Sequence, residues 1–473
     1  MVDGKVLAAR FAGAADFETR KVISGGNELE IFFLDGLTSG RDIADFIVRP
    51  LHEARQDERE ETLFTRAERG LVWCASMKKA SSTDEAAELL VNGFCVILFP
   101  KTGKALGCEV KTGEKRSPSA PEAENTVKGA KDAFTETLRT NTSLIRRHLR
   151  TPELRLEESV VGRRSLTKIT VCWVEGLTDP ELPARMKKRL GEIDIDGLLS
   201  PAAVEEYVTG SRKTAFPLLE FTERTDHFCQ GLLDGQVGLL VDGLPIGYLA
   251  PVSFGRLMRS PEDRATDYLS ASMLRSLRYL ALGVSLLLPG IYAAMAMFHQ
   301  QMLPTKLLLS IIESKQDVPF STLFEVVGLL CAFELLQQAG LHLPQAIGTA
   351  VSIIGGLVVG TAAVDAKLVS PAALIVTASS GICGFTLPNR DLSDALRLWR
   401  LGLTVLGGVF GLFGVTAGLL LLLIKLAGLE SLGRSYLAPF GEAEVKGALV
   451  RKRLAEQKWR DGTLRPLDER NQR

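Results

Sequence analysis

The sequence has little of what enzyme and metal sites are usually built from. Only five histidines occur among its 473 residues, and the seven cysteines are scattered, without a Cys-x-x-Cys pair or a cluster of histidines near them. This pattern argues against a metal site and against a secreted disulfide framework. A Gly-rich phosphate loop, a His-Glu-x-x-His helix and a Gly-x-Ser-x-Gly turn are all missing. The sequence therefore predicts no enzymatic activity, no metal and no cofactor.

The chain has no excess charge of either sign, because 56 Lys and Arg balance 56 Asp and Glu. The net charge therefore gives no indication of a nucleic-acid partner, and none is expected. The charge is uneven, however, since only thirteen of the 146 residues in 279–424 are charged. The N-terminus has no uninterrupted apolar core of signal-peptide length. These features predict a cytoplasmic N-terminal part, a lipid-embedded part and a short polar tail.

An internal repeat is visible in the N-terminal part. Each copy has a strand that leads into Gly-Leu-Thr, and later a helix that ends in Asn-Gly or Asp-Gly before a strand pair. The paired segments are 30–51 with 168–190, and 86–110 with 227–252. We interpret them as a duplicated α/β module, although chance likeness between common strand–turn–helix units is the alternative.

Between the copies, a Pro/Ser-rich linker leads into a basic helix with Arg146, Arg147 and Arg150. These arginines are candidates for a subunit interface or a contact with acidic lipid. The alternative is a solvated helix face.

Four apolar segments predict membrane spans. They are 280–298, 345–364, 371–388 and 401–424, and Ser370 and Pro371 predict the N-cap and first helical residue of the third. Arg275 and Arg278 precede the first and place the N-terminal domain on the cytoplasmic side. Four crossings return the tail to the cytoplasm but leave Arg390, Arg397 and Arg400 outside. Five crossings would place these arginines on the cytoplasmic side and the tail outside. We adopt four.

A fifth apolar helix, 323–339, contains two carboxylates. Thr322 and Glu325 have the spacing of a capping box, which explains Glu325 by its position at the helix start. Glu334 has no such explanation and is a candidate gating carboxylate. Because the uninterrupted apolar run, 326–333, is short, we predict a helix at the membrane interface, where Glu334 would be wet, or one buried in the bundle.

Small residues recur at helical spacing in two of the spans. They are Gly348, Ser352, Gly356 and Gly360, followed by Gly407, Gly411, Gly414 and Gly418. Such faces let helices pack closely. The sharper hypothesis is that Thr349, Ser352 and Gly356 line an ion path around a symmetry axis.

The predicted fold class is therefore an α/β duplicated cytoplasmic domain followed by an α-helical transmembrane bundle with about four spans and one buried or interfacial helix. The predicted parts are a first subdomain (1–115), a linker with the basic helix (116–164), a second subdomain (165–275), a membrane domain (276–426) and a polar cytoplasmic tail (427–473).

Several collinear segments across 30–440 resemble the A subunit of GerA-type spore germinant receptors. Examples are "FPLLEFTERTDHFCQGLLDGQVGLLVDGLPIGYLAPVSF", "LLLPGIYAAMAMFHQQMLP" and "VPFSTLFEVVGLLCAFELLQQAGLHLPQAIGTAVSIIGGLVVGTAAVDAKLVSP". A related branch, the SpoVAF-like components of the dipicolinate channel system, shares much of this pattern. "VDGLP" (241–245) favours the receptor branch.

The resemblance implies a protein of the spore inner membrane that works with a transporter-like B subunit and a lipoprotein C subunit. It also implies a homo-oligomer, a pentamer, that conducts monovalent cations when nutrient binds and so triggers germination. A non-conducting membrane scaffold for other germination proteins is the alternative function. Where the family has charged residues near the buried helix, this chain has Gln337, Gln338 and His342, which puts ion pairs there in doubt.

Overall fold

In a computed structural model of the chain, the N-terminal half forms two antiparallel sheets and the C-terminal half forms a helical bundle. The structure describes residues 1–54, 58–111, 121, 124, 128–210, 214–342, 358–440, 449–460 and 462–471.

The first sheet has five strands in the order β1-β2-β4-β5-β3, and every neighbouring pair is antiparallel. The strands are β1 (Phe17–Ser24), β2 (Asn27–Leu34), β3 (Met77–Ala80), β4 (Phe94–Phe99) and β5 (Lys104–Glu109). Helices α1 (Gly4–Arg10), α2 (Glu60–Arg66) and α3 (Thr83–Val91) accompany them. All six residues of β4 are buried, because this central strand has apolar side chains on both faces and is covered on both.

The second sheet repeats this arrangement in the order β6-β7-β9-β10-β8, again with antiparallel pairs. Its strands are β6 (Leu154–Val161), β7 (Thr167–Val174), β8 (Glu220–Thr222), β9 (Val237–Val241) and β10 (Gly247–Ala250). Its helices are α4 (Leu138–His148), α5 (Glu181–Gly191), α6 (Pro201–Thr209) and α7 (Thr225–Asp234).

The two sheets are called the first and second module below. The segments that indicated the repeat occupy equivalent places in the two modules: α3 and α7 each precede the central hairpin. Two details of the sequence prediction are wrong. The pairing is antiparallel, so the modules are α+β rather than α/β. The second module also includes β6, which the prediction assigned to the linker 116–164, because β6 pairs along its whole length with β7.

The basic helix α4 joins the two modules. Arg146 is almost completely buried, and its guanidinium donates to both carboxylate oxygens of Asp16 at 2.7 and 2.9 Å. Ser143 Oγ donates to the carbonyl of Gly36 at 3.0 Å. The prediction of a subunit interface is therefore wrong for Arg146, whose side chain is used within the chain. Arg147 and Arg150 are exposed, and their role in an interface stays a prediction.

In the part of the bundle that the structure describes, there are four longer helices and one short amphipathic helix. They are α8 (Tyr268–Met297), α9 (Thr305–Lys315), α10 (Thr322–His342), α11 (Pro371–Gly384) and α12 (Arg390–Ala427). Ser370 caps α11 and Pro371 is its first residue, as predicted from the sequence. In the described part of the chain, α8, α10 and α12 are long and apolar enough to cross a membrane.

Helix α12 is two antiparallel arms joined at Gly411. This glycine has φ 65° and ψ −151°, which breaks the helix, and an added Cβ would lie 2.8 Å from the His299 ring. Lys425 Nζ lies 5.8 Å from the centre of the Trp399 ring, although a straight helix would separate these residues by about 39 Å. A Cβ on Gly418 would meet Leu403 at 2.5 Å. The chain therefore turns back at Gly411.

This turn corrects the predicted fourth span. The segment 401–424 is not one crossing, because arm 390–410 and arm 412–427 lie side by side. Leu392, Leu396 and Leu426 all belong to one core with Phe254 of the second module. Both ends of α12 are therefore at the module end of the bundle, and the arginines near Arg390 need not be on the side opposite the tail.

The segment after α12 packs on the second module. Ser431 Oγ donates to the carbonyl of Leu218 at 2.6 Å, and Phe254 N donates to the carbonyl of Tyr436 at 2.7 Å. A two-strand ribbon, β11 (Glu430–Ser431) with β12 (Arg434–Ser435), forms this contact. The remaining short helical segments are Gly40–Asp42, Ile43–Val48, Arg49–His52, Ala67–Leu71, Phe254–Leu257, Glu262–Ala265, Gln300–Met302, Val358–Ala362, Ala363–Asp365, Leu454–Glu456 and Gly462–Leu464.

Candidate functional site in the helical bundle

Glu334 is at the centre of a charged cluster inside the bundle. Its carboxylate binds Arg400 Nη2 at 2.6 Å and Arg397 Nη1 at 3.4 Å. The Arg400 side chain is 5% exposed and that of Glu334 is 36% exposed. The pair links α10 to the first arm of α12. The structure packs Glu334 against α12 and also leaves its side chain partly exposed, and its role as a gating carboxylate stays a prediction.

A hydroxyl group of α11 and a backbone carbonyl of α8 complete the cluster. Ser380 Oγ of α11 donates to the carbonyl of Ser285 in α8 at 2.7 Å. Arg400 Nη1 reaches Ser380 Oγ at 3.5 Å, so its guanidinium is held between α10 and α11. Four helices thus meet at one polar point. An ion pair is thus present on this part of α10, formed by Glu334 and not by the neighbouring positions Gln337 and Gln338.

The start of α10 differs from the sequence prediction. Glu325 is buried, accepts a hydrogen bond from the backbone N–H of Ser370 and lies 3.5 Å from Lys315 Nζ. The predicted capping box is wrong, because this carboxylate reaches across to the start of α11. At 21 residues, about 31 Å, α10 is also long enough to cross a bilayer, contrary to the expectation from its short apolar run.

The glycines of α12 lie where backbones approach closely. A Cβ on Gly407 would overlap the carbonyl of Gly290 in α8, and one on Gly414 would overlap the carbonyl of Leu406 in the opposite arm. Gly411 forms the turn itself, and Gly418 faces Leu403. The sequence pattern alone did not distinguish packing between helices from packing between two arms of one hairpin.

The candidate ion path is largely outside the described residues. Thr349, Ser352, Gly356 and the packing residue Gly348 belong to the undescribed stretch 343–357, whereas Gly360 is described and faces Leu374 at 3.6 Å. Among the residues that the structure describes, no three His, Cys, Asp or Glu side chains are grouped as metal ligands.

A second charged network connects the second module to the base of α8. Arg256 lies between Glu220 and Asp234, at 3.0 and 3.1 Å, and His227 Nε2 lies 2.9 Å from Glu220. Burial opposes the charged form of Glu220, but Arg256 and His227 outweigh it and lower its pKa to about 2. Burial likewise opposes ionisation of Asp234, yet Arg256 and Arg264 lower its pKa.

The same network continues into the first turns of α8. Asp263 is 1% exposed and binds both Arg275 and Arg278 at 2.9 Å. Sequence reasoning used these arginines only as indicators of membrane orientation. It also missed Arg397 and Arg400 as partners of Glu334. The available signal was that charges within apolar helices usually pair with one another.

The fold and the cluster define a class of protein: a membrane protein whose helical bundle is attached to a duplicated antiparallel-sheet domain and contains a charged cluster in its interior. The chain belongs to the GerA family, since the family described as Bacillus/Clostridium GerA spore germination protein matches residues 5–463.

Relatives support this assignment. The chain is 34% identical over 426 residues to spore germination protein KA of Bacillus subtilis (strain 168), covering 89% of this chain and 78% of the relative. It is 30% identical over 468 residues to spore germination protein GerLA of Bacillus cereus, covering 96% and 94%. A membrane protein of Bacillus subtilis (strain 168), YfkQ, is 35% identical over 427 residues, with 89% and 82% covered. Family and relatives together support a role in spore germination.

A solved structure also matches part of the chain. The N-terminal domain of the A subunit of the Bacillus megaterium spore germinant receptor GerK3 aligns with 24% identity and a TM-score of 0.42, over 53% of this chain and 93% of that domain.

Proposed function

We propose that this chain is the A subunit of a nutrient germinant receptor in the spore inner membrane, and that copies of it assemble into a ligand-gated cation channel that triggers germination. Its partners in this proposal are a transporter-like B subunit, a lipoprotein C subunit and monovalent cations. The observation that carries the proposal is the Glu334–Arg400 pair inside an apolar bundle.

An ion pair in such surroundings needs an explanation beyond stability. Taking two charges out of water costs more than their attraction returns unless the geometry is good, so apolar packing would hold the helices at least as well. Ionisable side chains within membrane helices generally mark ion pathways or switches. The pair fixes α10 against the first arm of α12, and we assign this contact to the closed state.

The proposed path follows α10 directly in the chain. Thr349 comes seven residues after His342, the last residue of α10. A shift of α10 relative to α12 would therefore be transmitted through a short connection to Thr349, Ser352 and Gly356. The second module and the segment after α12 contact the same end of the bundle, and in the proposal this end faces the cytoplasm.

The test is potassium flux from liposomes that contain the full chain, alone and together with its B and C subunits. Glu334→Gln removes one charge of the pair and should raise the flux without nutrient about tenfold, because the closed state loses at least one charge-assisted contact. Ser352→Leu should reduce the flux both in the otherwise unaltered chain and in the Glu334→Gln variant, because leucine would narrow the path.

Asp394→Asn is the matched control. Asp394 also binds Arg397, at 3.2 Å, but its side chain is half exposed. Its substitution should change the flux by less than about twofold. If an oligomer of confirmed size conducts no cations with or without its partners, the channel hypothesis fails and a scaffold function is favoured. Equal effects of the Glu334 and Asp394 variants would remove Glu334 from the gate.

A further inference from the structure

A cavity of about 180 Å³ lies where the second module, the base of α8 and the C-terminal tail meet. Among the residues that the structure describes, six arginines and one lysine line it, against a single carboxylate, that of Asp234. This unequal charge is notable in a chain whose total charge is zero. The charged cluster around Glu334 lies elsewhere, within the bundle, so the cavity is separate from the proposed gate.

Most of the arginines have partners in the chain. Arg256 and Arg264 share Asp234 at 3.1 and 3.2 Å. Arg275 binds Asp263 at 2.9 Å. Arg460 donates to the backbone carbonyl of Leu233 at 2.9 Å and lies 3.4 Å from the carboxylate of Asp468. Arg259 also has a contact within the chain. Among the described residues, this leaves Arg451 and Lys452 as the cations of the cavity with no carboxylate within 4 Å.

Arg451 is the clearest case of imbalance. It is 4% exposed, and its Nη1 donates to the backbone carbonyls of Asp263 and Thr266, the latter at 2.7 Å. Within the described ranges, no carboxylate lies within 4 Å of it. A buried cation that is bound only by carbonyls keeps a large desolvation cost, which an anion would offset.

Neighbouring cations also repel one another here. Burial lowers the pKa of Arg264, and repulsion from Arg256 and Arg259 adds to this effect although Asp234 opposes it. The structure thus holds several guanidinium groups close together. A guanidinium offers a planar fork of N–H donors that matches the oxygens of a phosphate group.

The location of the cavity gives it access to lipid. Arg275 belongs to the start of α8, and on the same helix Leu269, Met273 and Leu280 are about two-thirds exposed. Exposed apolar side chains next to a cationic cavity are typical of a helix that enters a bilayer at the level of the headgroups.

We propose that this cavity binds a phosphate group, with Arg451 and Lys452 as its principal cationic ligands. The group is either the headgroup phosphate of an anionic lipid or free phosphate, since the chemistry of recognition is shared. Binding would fasten the tail, the second module and the start of α8 to one another at the membrane surface.

The test measures thermal unfolding of the full chain in phosphatidylcholine nanodiscs, with inorganic phosphate or with chloride at equal ionic strength. A ligand that binds the folded state raises the unfolding midpoint as its concentration rises. A second arm replaces half of the lipid by phosphatidylglycerol without phosphate. Stabilisation by phosphatidylglycerol alone assigns the site to lipid, and stabilisation by both assigns it to phosphate of either source. Stabilisation by neither overturns the proposal.

Two variants locate the effect. Lys452→Gln should raise the phosphate or phosphatidylglycerol concentration needed for half-maximal stabilisation about threefold, since it removes one exposed charge. Arg451→Lys keeps the charge but loses the fork, and should raise it about tenfold. Lys458→Gln is the matched control, because Lys458 is another exposed lysine of the tail that does not line the cavity. Equal losses in Lys452→Gln and Lys458→Gln would indicate general attraction and overturn the proposal.

The chain itself offers an alternative source of negative charge. Glu442 and Glu444 lie in the sequence between Pro439 and Val450, which line the cavity, and are outside the described residues. If phosphate stabilises only the double variant Glu442→Gln/Glu444→Gln, the chain supplies its own anion and the proposal is wrong. Stabilisation of the unaltered protein supports it.

Discussion

The two modules have the same strand order but different surroundings. The two cores of the first module are built from residues 2–110 alone. The second module instead shares a core with the bundle and the tail, to which it contributes Phe216, Val252 and Phe254. A repeated fold has therefore been used for two tasks: the first module contacts the second, and the second is fixed to the membrane helices.

One pair of equivalent positions shows how the difference arises. Each module has a helix that ends before a glycine with positive φ, 81° for Gly93 and 101° for Gly235. Before Gly93 stands Asn92, whose side chain donates to the carbonyl of Glu88 in its own helix at 2.8 Å. Before Gly235 stands Asp234, which binds Arg256 and Arg264. One added charge turns a local cap into a long-range connection.

The largest expected effect comes from breaking that connection. Arg256→Met leaves the buried carboxylate of Glu220 without its main partner and should destabilise the second module by about 3–5 kcal/mol. Arg146→Met should cost a similar amount, because it leaves Asp16 unpaired between the modules. Hydrogen exchange of the full chain should then locate the two losses differently.

For Arg256→Met, faster exchange is expected in 216–222 and 252–258, where the second module meets the bundle. For Arg146→Met, it is expected around Asp16 and in α4, with the bundle contact unchanged. If both variants loosened the bundle contact equally, the two modules would act as one unit and the comparison would fail.

Acid should destabilise the second module more than the first, with a smaller effect than that of Arg256→Met. The folded-state pKa of Glu220 is about 2, below its unfolded value of about 4.3. The stabilisation from this group, about 3 kcal/mol, is thus present above about pH 4.3 and is lost as the pH falls toward 2. The lowered pKa values of Asp234 and Asp263 act in the same direction.

Pepsin cleavage mapped by mass spectrometry between pH 4.5 and 2 checks this order. Cuts in the second module and at the start of α8 should appear at a higher pH than cuts in the first module. If cuts in β4 or β5 of the first module appeared at a higher pH than cuts in the second module, they would contradict the assignment of acid sensitivity to the Glu220 network.

The smallest effect is expected from exchanging the residue types at the two equivalent positions, Asp234 and Asn92. Asp234→Asn keeps the shape but loses the charge shared by Arg256 and Arg264, and should cost about 2 kcal/mol. Asn92→Asp places a carboxylate at a helix C-terminus and should cost less than about 1 kcal/mol. Denaturant unfolding of both variants measures the difference. Equal costs would mean that Asp234, like Asn92, serves only its own helix.

The sequence predicted the larger features because they depend on local patterns. The low charge of 279–424 separated the apolar part from the polar part, and Ser370-Pro371 located the start of α11. The repeated strand–turn–helix pattern corresponded to two sheets of the same order. The candidate site was predicted only in part: Glu334 was identified, but Arg397 and Arg400, more than sixty positions away, were not recognised as its partners.

The amino-acid sequence alone determined which stretches avoid water, which residues begin helices and which segment is repeated, since these follow from side-chain polarity and backbone preference over a few neighbouring residues. Only the tertiary structure decided that Gly411 turns the last helix back, that Arg146 is buried between modules and that Glu334 is paired. A glycine allows both a turn and a close contact, and an arginine suits both solvent and a buried carboxylate. The choice between them is made by residues that are distant in the chain and adjacent in space.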